Sequence, residues 1–437
     1  MSLITIVERS NLMYTSNFIS VGIDVSADFS WVSILTPDRK PFIKPFKVHH
    51  DDAASLEKAI FTIKKAEESN SMKARIFLES TGIYHFPLFC YLKESGFEVF
   101  TLNPLITDSN KNLGIRKVKN DKFDSVRIAE IGYSHNLKVS LIPPDVVINL
   151  RSLVREYYYL VDSKTAHVNK LHKELRIVFP SYTKVFSNFT GRASLAILRT
   201  YIAPKNILSA GKDEVISLIA SSSRRDLKFA EKKYAELIKA ATLAQSFGKY
   251  LESSYDVIKL LIDVIDFYDQ KLNSLLASIN GFIAKYQDED FIKKIHLIDS
   301  IPGIGLISAV TLMCEIGDFS AFQKPKQLFA YFGLDPAVKE SGKFKGTKVS
   351  MSKRGSRLAR RVLYSIALVS VSAANNPVLK EFYQKKKQSK PNKVALGAVM
   401  HKISNIIYAV LRDNQSFVLK SSYEHCDAFK KRLFLVA

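Results

Sequence analysis

The sequence predicts an α/β unit at the N-terminus followed by a mainly helical remainder. Three observations carry that expectation. Phe18 to Leu35 reads as two strands joined by a tight turn. A second strand pair, Ala74 to Leu78 and Glu98 to Leu102, brackets a stretch from Tyr84 to Lys93 with helical periodicity and a Gly96 stop. Further on, apolar residues recur at alternating three- and four-residue steps, once through Leu150, Val154, Tyr157, Val161, Val168, Leu171, Leu175 and Val178, and again through Ile258, Leu261, Ile265, Tyr268, Leu272, Leu275, Ile279 and Phe282. Lys164 breaks the first repeat. The two helices either pair with each other, as in an ordinary bundle, or form coiled coils between subunits. The tail from Asn392 reads as a helix that turns Val394, Met400, Ile403 and Ile407 inward, with His401 structural.

Composition narrows the partners. Hydrophobic residues make up 47% and charged residues 24% of 437, a globular balance, but the net charge is +22. Such an excess attracts a polyanion, either nucleic acid or an anionic membrane. The longest charge-free apolar stretch, Val362 to Ala374, is too short for a bilayer, so nucleic acid is the expected partner and no membrane is. Cys90, Cys314 and Cys426 are far apart and lack zinc-ligand spacing, which suits reduced thiols in a cytoplasmic protein without a signal peptide.

The chemistry gathers on four acids. Asp24 falls at the end of the first apolar run and Glu79 at the end of the third. In KVKNDKFDSVRIAE, Asn120 is a good N-cap, and Phe123 and Ile128 are available for a core. Asp121 and Asp124, three residues apart, share one face of the helix that follows. Neighbouring carboxylates repel, and a first-turn position offsets only part of that cost through the helix dipole. On spacing alone this is either a solvated, Asp-rich first turn or half of a hard-cation site. Four such acids in one α/β unit look like donors for two Mg²⁺ ions, with Mn²⁺ as a substitute.

The segments GIDVS, LESTGIYHFPL, GFEVFTLNPLITDSNK and IRKVKNDKFDSVRIAEIG resemble the DEDD transposases of bacterial insertion sequences, the IS one-ten group that includes the Piv invertases. The match runs from about Val21 to about Gly132 in residue type, order and spacing. It implies an RNase H-like (RuvC-like) domain in which Asp24, Glu79, Asp121 and Asp124 hold Mg²⁺. The domain boundaries expected are 15–145 for this unit, 146–290 for a long-helix or coiled-coil segment that supports assembly, and 291–430 for a helical C-terminal domain. Pro143-Pro144 marks the first boundary. Within the middle segment, Ser181 to Lys249 is polar, helical and basic in patches, and reads as a spacer.

The C-terminal domain opens at IPGIGLISAVTL. Gly303 and Gly305 in a turn before a helix either grip a phosphate through backbone N–H groups, like half of a helix-hairpin-helix, or form a plain helix-entry turn. From Ser341 to Lys393 there are fourteen Lys or Arg, Lys343, Lys345, Lys348 and Lys353 among them, and one acid, Glu381, a net of +13. Arg354, Arg357 and Arg361 recur at helical spacing as a basic face suited to phosphates. Residue chemistry alone makes Ser341, in a Ser-Gly pair, a turn former, because no general base is visible beside it. This segment too resembles the transposase family, and the resemblance implies that Ser341 is the nucleophile.

The expected function is therefore that of a DNA transposase or recombinase acting on donor and target DNA. Strand exchange would pass through a phosphoserine link, with a structured guide ("bridge") RNA that supplies sequence choice implied by family resemblance. Acids and serine lie about 220 residues apart, so they must meet by domain closure or across subunits of a homo-oligomer, a dimer or tetramer. Two rivals stand beside this reading. One is a metal-only nuclease of the Holliday-junction type; the other is a non-catalytic RNA-binding scaffold.

Overall fold

A computed structural model of the chain describes residues 16–79, 84–102, 121–134, 139–140, 142–249, 251–337, 340–341, 344–345, 350–372, 376–420 and 423–424. Two compact units result, Met1–Pro143 and Pro144–Ala437.

In the first unit a five-stranded sheet is built from β1 (Ile19–Val25), β2 (Phe29–Leu35), β3 (Phe46–His49), β4 (Ala74–Glu79) and β5 (Glu98–Leu102). The strand order is β3-β2-β1-β4-β5. β1, β2 and β3 form an antiparallel meander, while β4 and β5 run parallel to β1. Helix α1 (Ala53–Asn70) and helix α2 (His85–Glu94) connect the parallel strands. Side chains alternate across a strand, so the two faces are read off one sequence. Ile19, Val21, Ile23 and Val25 of β1 join Ile76 and Leu78 of β4 in a core with Ile63 of α1 and Leu88 and Leu92 of α2. The other face, with Phe77 and Phe100, packs on Ile128 and Ile131 of helix α3 (Asp121–Ser134).

Gly22 sets how closely α3 approaches. A Cβ at Gly22 would stand 2.1 Å from the Ser125 carbonyl oxygen and 2.3 Å from the Ala129 nitrogen, both backbone. Hydroxyls line the contact on either side: Ser20 Oγ donates to the Ala129 carbonyl at 2.6 Å, and Ser33 and Ser125 Oγ atoms pair at 2.6 Å. Tyr133 closes the far end, accepting the Ser20 N–H at 3.1 Å and facing the Leu35 and Thr36 carbonyls at 2.9 and 3.0 Å. Burial pushes that phenol up to about 12. With Ser125 and Ala129 turned to the sheet, Phe123 lies about 200° round the helix from Ser125. It is 55% exposed rather than in the core, whereas Ile128 is buried as expected.

Gly22→Ala is thus expected to destabilise the unit by about 3 kcal/mol, because the obstructing atoms are backbone and cannot rotate away. Gly281→Ala is the control: it sits in a helix interior with nothing within 4 Å, and should stabilise by up to about 1 kcal/mol. Denaturant midpoints of the two variants should move in opposite directions.

The second unit is helical and is organised by two 34-residue helices, α4 (Asp145–Val178) and α10 (Glu252–Lys285). They pair with each other, antiparallel, within the chain. At one end Leu171, Leu175 and Val178 meet Ile258, Leu261 and Ile265, in a core completed by α5 (Tyr182–Val185), α6 (Arg192–Thr200), α7 (Pro204–Ser209), α8 (Lys212–Ser223) and α9 (Leu227–Phe247). At the other end Val146, Leu150 and Val154 meet Ile279 and Ile283 in a second core. Midway, Lys164 forms an ion pair with Asp269 of α10. The break in the apolar repeat is a polar tie between the two helices.

The second core contains α11 (Asp290–Asp299), α12 (Leu306–Ile316), α13 (Pro325–Tyr331), α14 (Arg357–Ser372), α15 (Pro377–Lys387) and α16 (Asn392–Asp413). By length and composition α16 could cross a membrane. Its Val399, Met400, Ile403 and Ile407 are instead buried in this core. Val394, expected inward, is 52% exposed. Cys90 and Cys314 are free thiols, and burial pushes Cys314 up to about 12.

Candidate functional site

The alternation that buries odd-numbered residues of β1 on one face turns Asp24 toward α3, along with Ser20 and Gly22. Ser20 meets Ala129, and Gly22 meets Ser125 and Ala129. A two-residue step along a strand covers about 6.7 Å, and four residues of helix cover about 6 Å. One further step therefore brings Asp24 alongside Asp121 and Asp124, in the first turn of α3. Trp31, the partner of Asp24 across the β1–β2 ladder, confirms the alignment, since Lys122 Nζ of α3 lies 6.0 Å from its ring centroid. Glu79 ends β4 directly after Leu78, which pairs with Ile23, and alternation with Phe77 places it on the same α3 face.

The four predicted acids thus share one end of one sheet face. Glu79 and Asp124 are buried, at 9% and 7% exposure, and Asp24 and Asp121 are half-buried. Arg127 Nη1 donates to Asp124 Oδ1 at 3.0 Å, one turn along the helix. Among the described residues no three His, Cys, Asp or Glu side chains converge closely enough to enclose an ion, so the acids share a face without forming a closed cage. Their donor type still fits a hard divalent cation: all four offer carboxylate oxygens. The proposed N-cap Asn120 lies outside the described residues.

In the second unit, Ser341 ends the two-residue strand β6 (Glu340–Ser341), which pairs antiparallel with β7 (Phe344–Lys345). The register places Ser341 opposite Phe344 and Glu340 opposite Lys345. Gly342, Lys343 and Lys348 lie outside the described residues. The base of this hairpin is well tied. Ala337 N–H donates to the Ser350 carbonyl and Ser352 N–H to the Asp335 carbonyl, both at 2.8 Å. Ser352 Oγ also donates to Asp335 Oδ1 at 2.5 Å.

Immediately below, the chain crosses itself. A Cβ on Gly355 would stand 1.9 Å from the Tyr331 carbonyl oxygen, so the glycine of the Lys-Arg-Gly run is a steric requirement. Arg360 pins the crossing by donating to the Phe332 and Gly355 carbonyls at 3.1 and 2.7 Å. Lys353, Arg354 and Arg357 remain exposed beside it. Arg361 is engaged otherwise: it pairs with Asp162 of α4 at 2.8 Å and lies 5.0 Å from the Tyr158 ring centroid.

The Pro-Gly-Ile-Gly turn joins α11 to α12. Gly305 is the exposed N-cap of α12 with open space around it, whereas Gly303 packs against Ser370 of α14. Only the Gly305 end of the turn is open to an outside anion. His401 lies 4.1 Å, centroid to centroid, from Phe329, and burial holds its imidazole below the ordinary value.

Four acids at one end of a sheet face in one unit and a strongly basic helical unit in the same chain suit an enzyme that works on nucleic-acid phosphodiesters. Comparison with known proteins gives the particular family. A profile described as Transposase, of the DEDD IS110 type, matches residues 21–180, and one described as Transposase IS116/IS110/IS902 family matches residues 295–384. Together they span more than half of the chain. A 42 kDa protein of insertion element IS900 from Mycobacterium paratuberculosis is 25% identical over 68% of this chain and 72% of its own length. The pilin gene-inverting protein of Moraxella lacunata is 28% identical over 56% of this chain and 75% of its own. The transposase of insertion sequence element IS1111A from Coxiella burnetii is 28% identical over 28% of this chain and 33% of its own. The chain belongs to the IS110 group of insertion-sequence transposases, and it is a DNA transposase/recombinase.

Proposed function

We propose that the chain exchanges DNA strands through a covalent serine intermediate, in a site that combines an RNase H-like acid cluster with Ser341. The observation that carries this reading is the placement of Asp24, Glu79, Asp121 and Asp124 on one sheet face, held there by the contact of α3 with Gly22. A divalent cation, Mg²⁺ or Mn²⁺, would be held by these carboxylates and would supply charge stabilisation at the scissile phosphate.

The Ser341 oxygen forms a bond to phosphorus. The bond from phosphorus to one deoxyribose oxygen breaks, and the serine proton passes by way of solvent to that departing oxygen. The released hydroxyl, or one on another strand, then reverses the step. One phosphodiester is replaced by one phosphoserine ester, so no nucleoside triphosphate is consumed. The exposed Lys353, Arg354 and Arg357 would hold flanking phosphates and neutralise charge as it develops. Residues 15–145 would form the acid-bearing domain, 146–290 the assembly segment and 291–430 the serine-bearing domain. Acids and serine come together by domain closure or between subunits of a homo-oligomer. The strongly basic balance suits a guide RNA whose pairing with donor and target DNA selects sequence.

The test is metal removal. Purified protein incubated with element-end DNA should cleave and rejoin strands with Mg²⁺ or Mn²⁺. After chelation, activity should fall by on the order of 10³-fold or more, recovering when metal is restored. Undiminished strand exchange in chelator would exclude the acid cluster as a metal site.

A further inference from the structure

The segment from Ser181 to Lys249 forms a compact set of helices, and it falls between the two stretches matched by the transposase profiles. Its surface carries an open cleft of about 320 Å³ between the start of α6 and the junction of α8 with α9. That volume is within the range of about 300–1,000 Å³ usual for ligand sites. Arg192, Arg225 and Lys233 line it, together with Ser223 and the rings of Phe186 and Phe229, and none of its lining residues is acidic.

Phe229 is the centre of this arrangement. Arg225 Cζ lies 6.0 Å and Lys233 Nζ 5.9 Å from its ring centroid. The aromatic surface is therefore flanked by two cations, one on each side in sequence. Lys233 is anchored by the Val185 carbonyl and by Glu236 at 2.7 Å, which fixes where its charge sits. Arg192 and Arg225 are exposed. The junction adds charge of the same sign, because Arg224, Lys228 and Lys232 bring its basic residues to five against Asp226, Glu231 and the Glu236 that pairs with Lys233.

A flat aromatic ring beside several cations suits a ligand with a stacking face and a phosphate, which is a nucleotide. The cleft is open rather than enclosed, which suits a nucleotide within a polymer, since a strand must enter and leave. We propose that this cleft holds one nucleotide of a single-stranded nucleic acid, with its base against Phe229 and its phosphates on Arg192, Arg225 and Lys233. This site does not depend on the acids or on Ser341, so it stands or falls separately from the strand-exchange reading.

The experiment uses the full chain and 15-nucleotide single strands, RNA and DNA in separate arms, carrying a photoreactive uracil at one position. Cross-linking followed by peptide mapping should place adducts on the peptides that contain Phe229 or Phe186. Arg192→Ala with Arg225→Ala should weaken binding at least about tenfold and flatten the salt slope by about 1.4, the value for two lost single-strand phosphate contacts. Phe229→Leu should weaken it about fivefold or more with the salt slope unchanged. Whichever arm binds more tightly names the polymer. Lys212→Ala with Lys239→Ala, exposed charges of the same segment outside the cleft, should have little effect. The proposal is overturned if that control pair weakens binding equally, or if cross-links map elsewhere in both arms. Adenosine monophosphate binding as tightly as the oligonucleotides would also overturn it, in favour of a small-molecule site.

Discussion

Ser341→Ala is expected to abolish the covalent protein–DNA adduct while leaving binding nearly intact. A serine hydroxyl is almost wholly protonated at neutral pH, and its attack relies on the charge stabilisation that its surroundings supply. An alanine keeps the backbone pairing of the hairpin, where Ser341 is in register with Phe344, and removes only the oxygen. Loss of a nucleophile costs on the order of 10⁴-fold or more in turnover. Denaturing electrophoresis with labelled DNA, after nuclease trimming, reads the adduct directly. Should the wild-type adduct map to another residue, the nucleophile is elsewhere. Recombination by the alanine variant at the wild-type rate would favour an acid cluster that activates water with no serine step.

Asp24→Asn and Asp124→Asn are expected to reduce strand exchange by on the order of 10²–10³-fold each, with thermal melting little changed for Asp24. Asp24 is half-buried at a strand end, so an isosteric amide fits the same space. At Asp124 the carboxylate is buried and meets Arg127, and an amide there leaves the arginine with a neutral partner. If the acids act as one metal site, higher Mg²⁺ should partly restore both variants. Wild-type rates in both would remove these acids from the chemistry.

The strand-end acids were legible because a short apolar run that stops at an acid marks both an element end and a facing direction. The long helices were legible because heptads repeat over many turns. Other elements were not, for physical reasons. Helix α1 turns Ala59, Ile63 and Ala66 inward, and a stripe made mostly of alanine hardly differs in hydrophobicity from its surroundings. α9 lies in a stretch read as helical, but its buried face, Ala230, Leu237, Ala240, Ala241 and Ala244, was hidden for the same reason. Strand β3 has only four residues and gains its place by pairing with β2. Phe123 misled because hydrophobicity does not say which way a helix is rotated; the glycine at position 22 of a distant strand decides that. Arg361 shares a spacing with Arg354 and Arg357, yet Asp162, about 200 residues earlier, takes it up. No local pattern announces such a partner.

The antiparallel pair of α4 and α10 has one further consequence. Each helix is roughly 50 Å long, and the two cores of the second unit are built around its opposite ends. The pair is thus a strut that sets the separation of those cores, and the Lys164–Asp269 tie fixes its register. Sliding one helix by a turn would set a charged ammonium against apolar residues at the seam. Seven residues added to both helices at matching heights would lengthen the strut by about 10 Å and leave each core intact. Seven added to one alone would pull both cores out of alignment at once. Length changes made in matched pairs should therefore be tolerated better than the same change made in one helix alone.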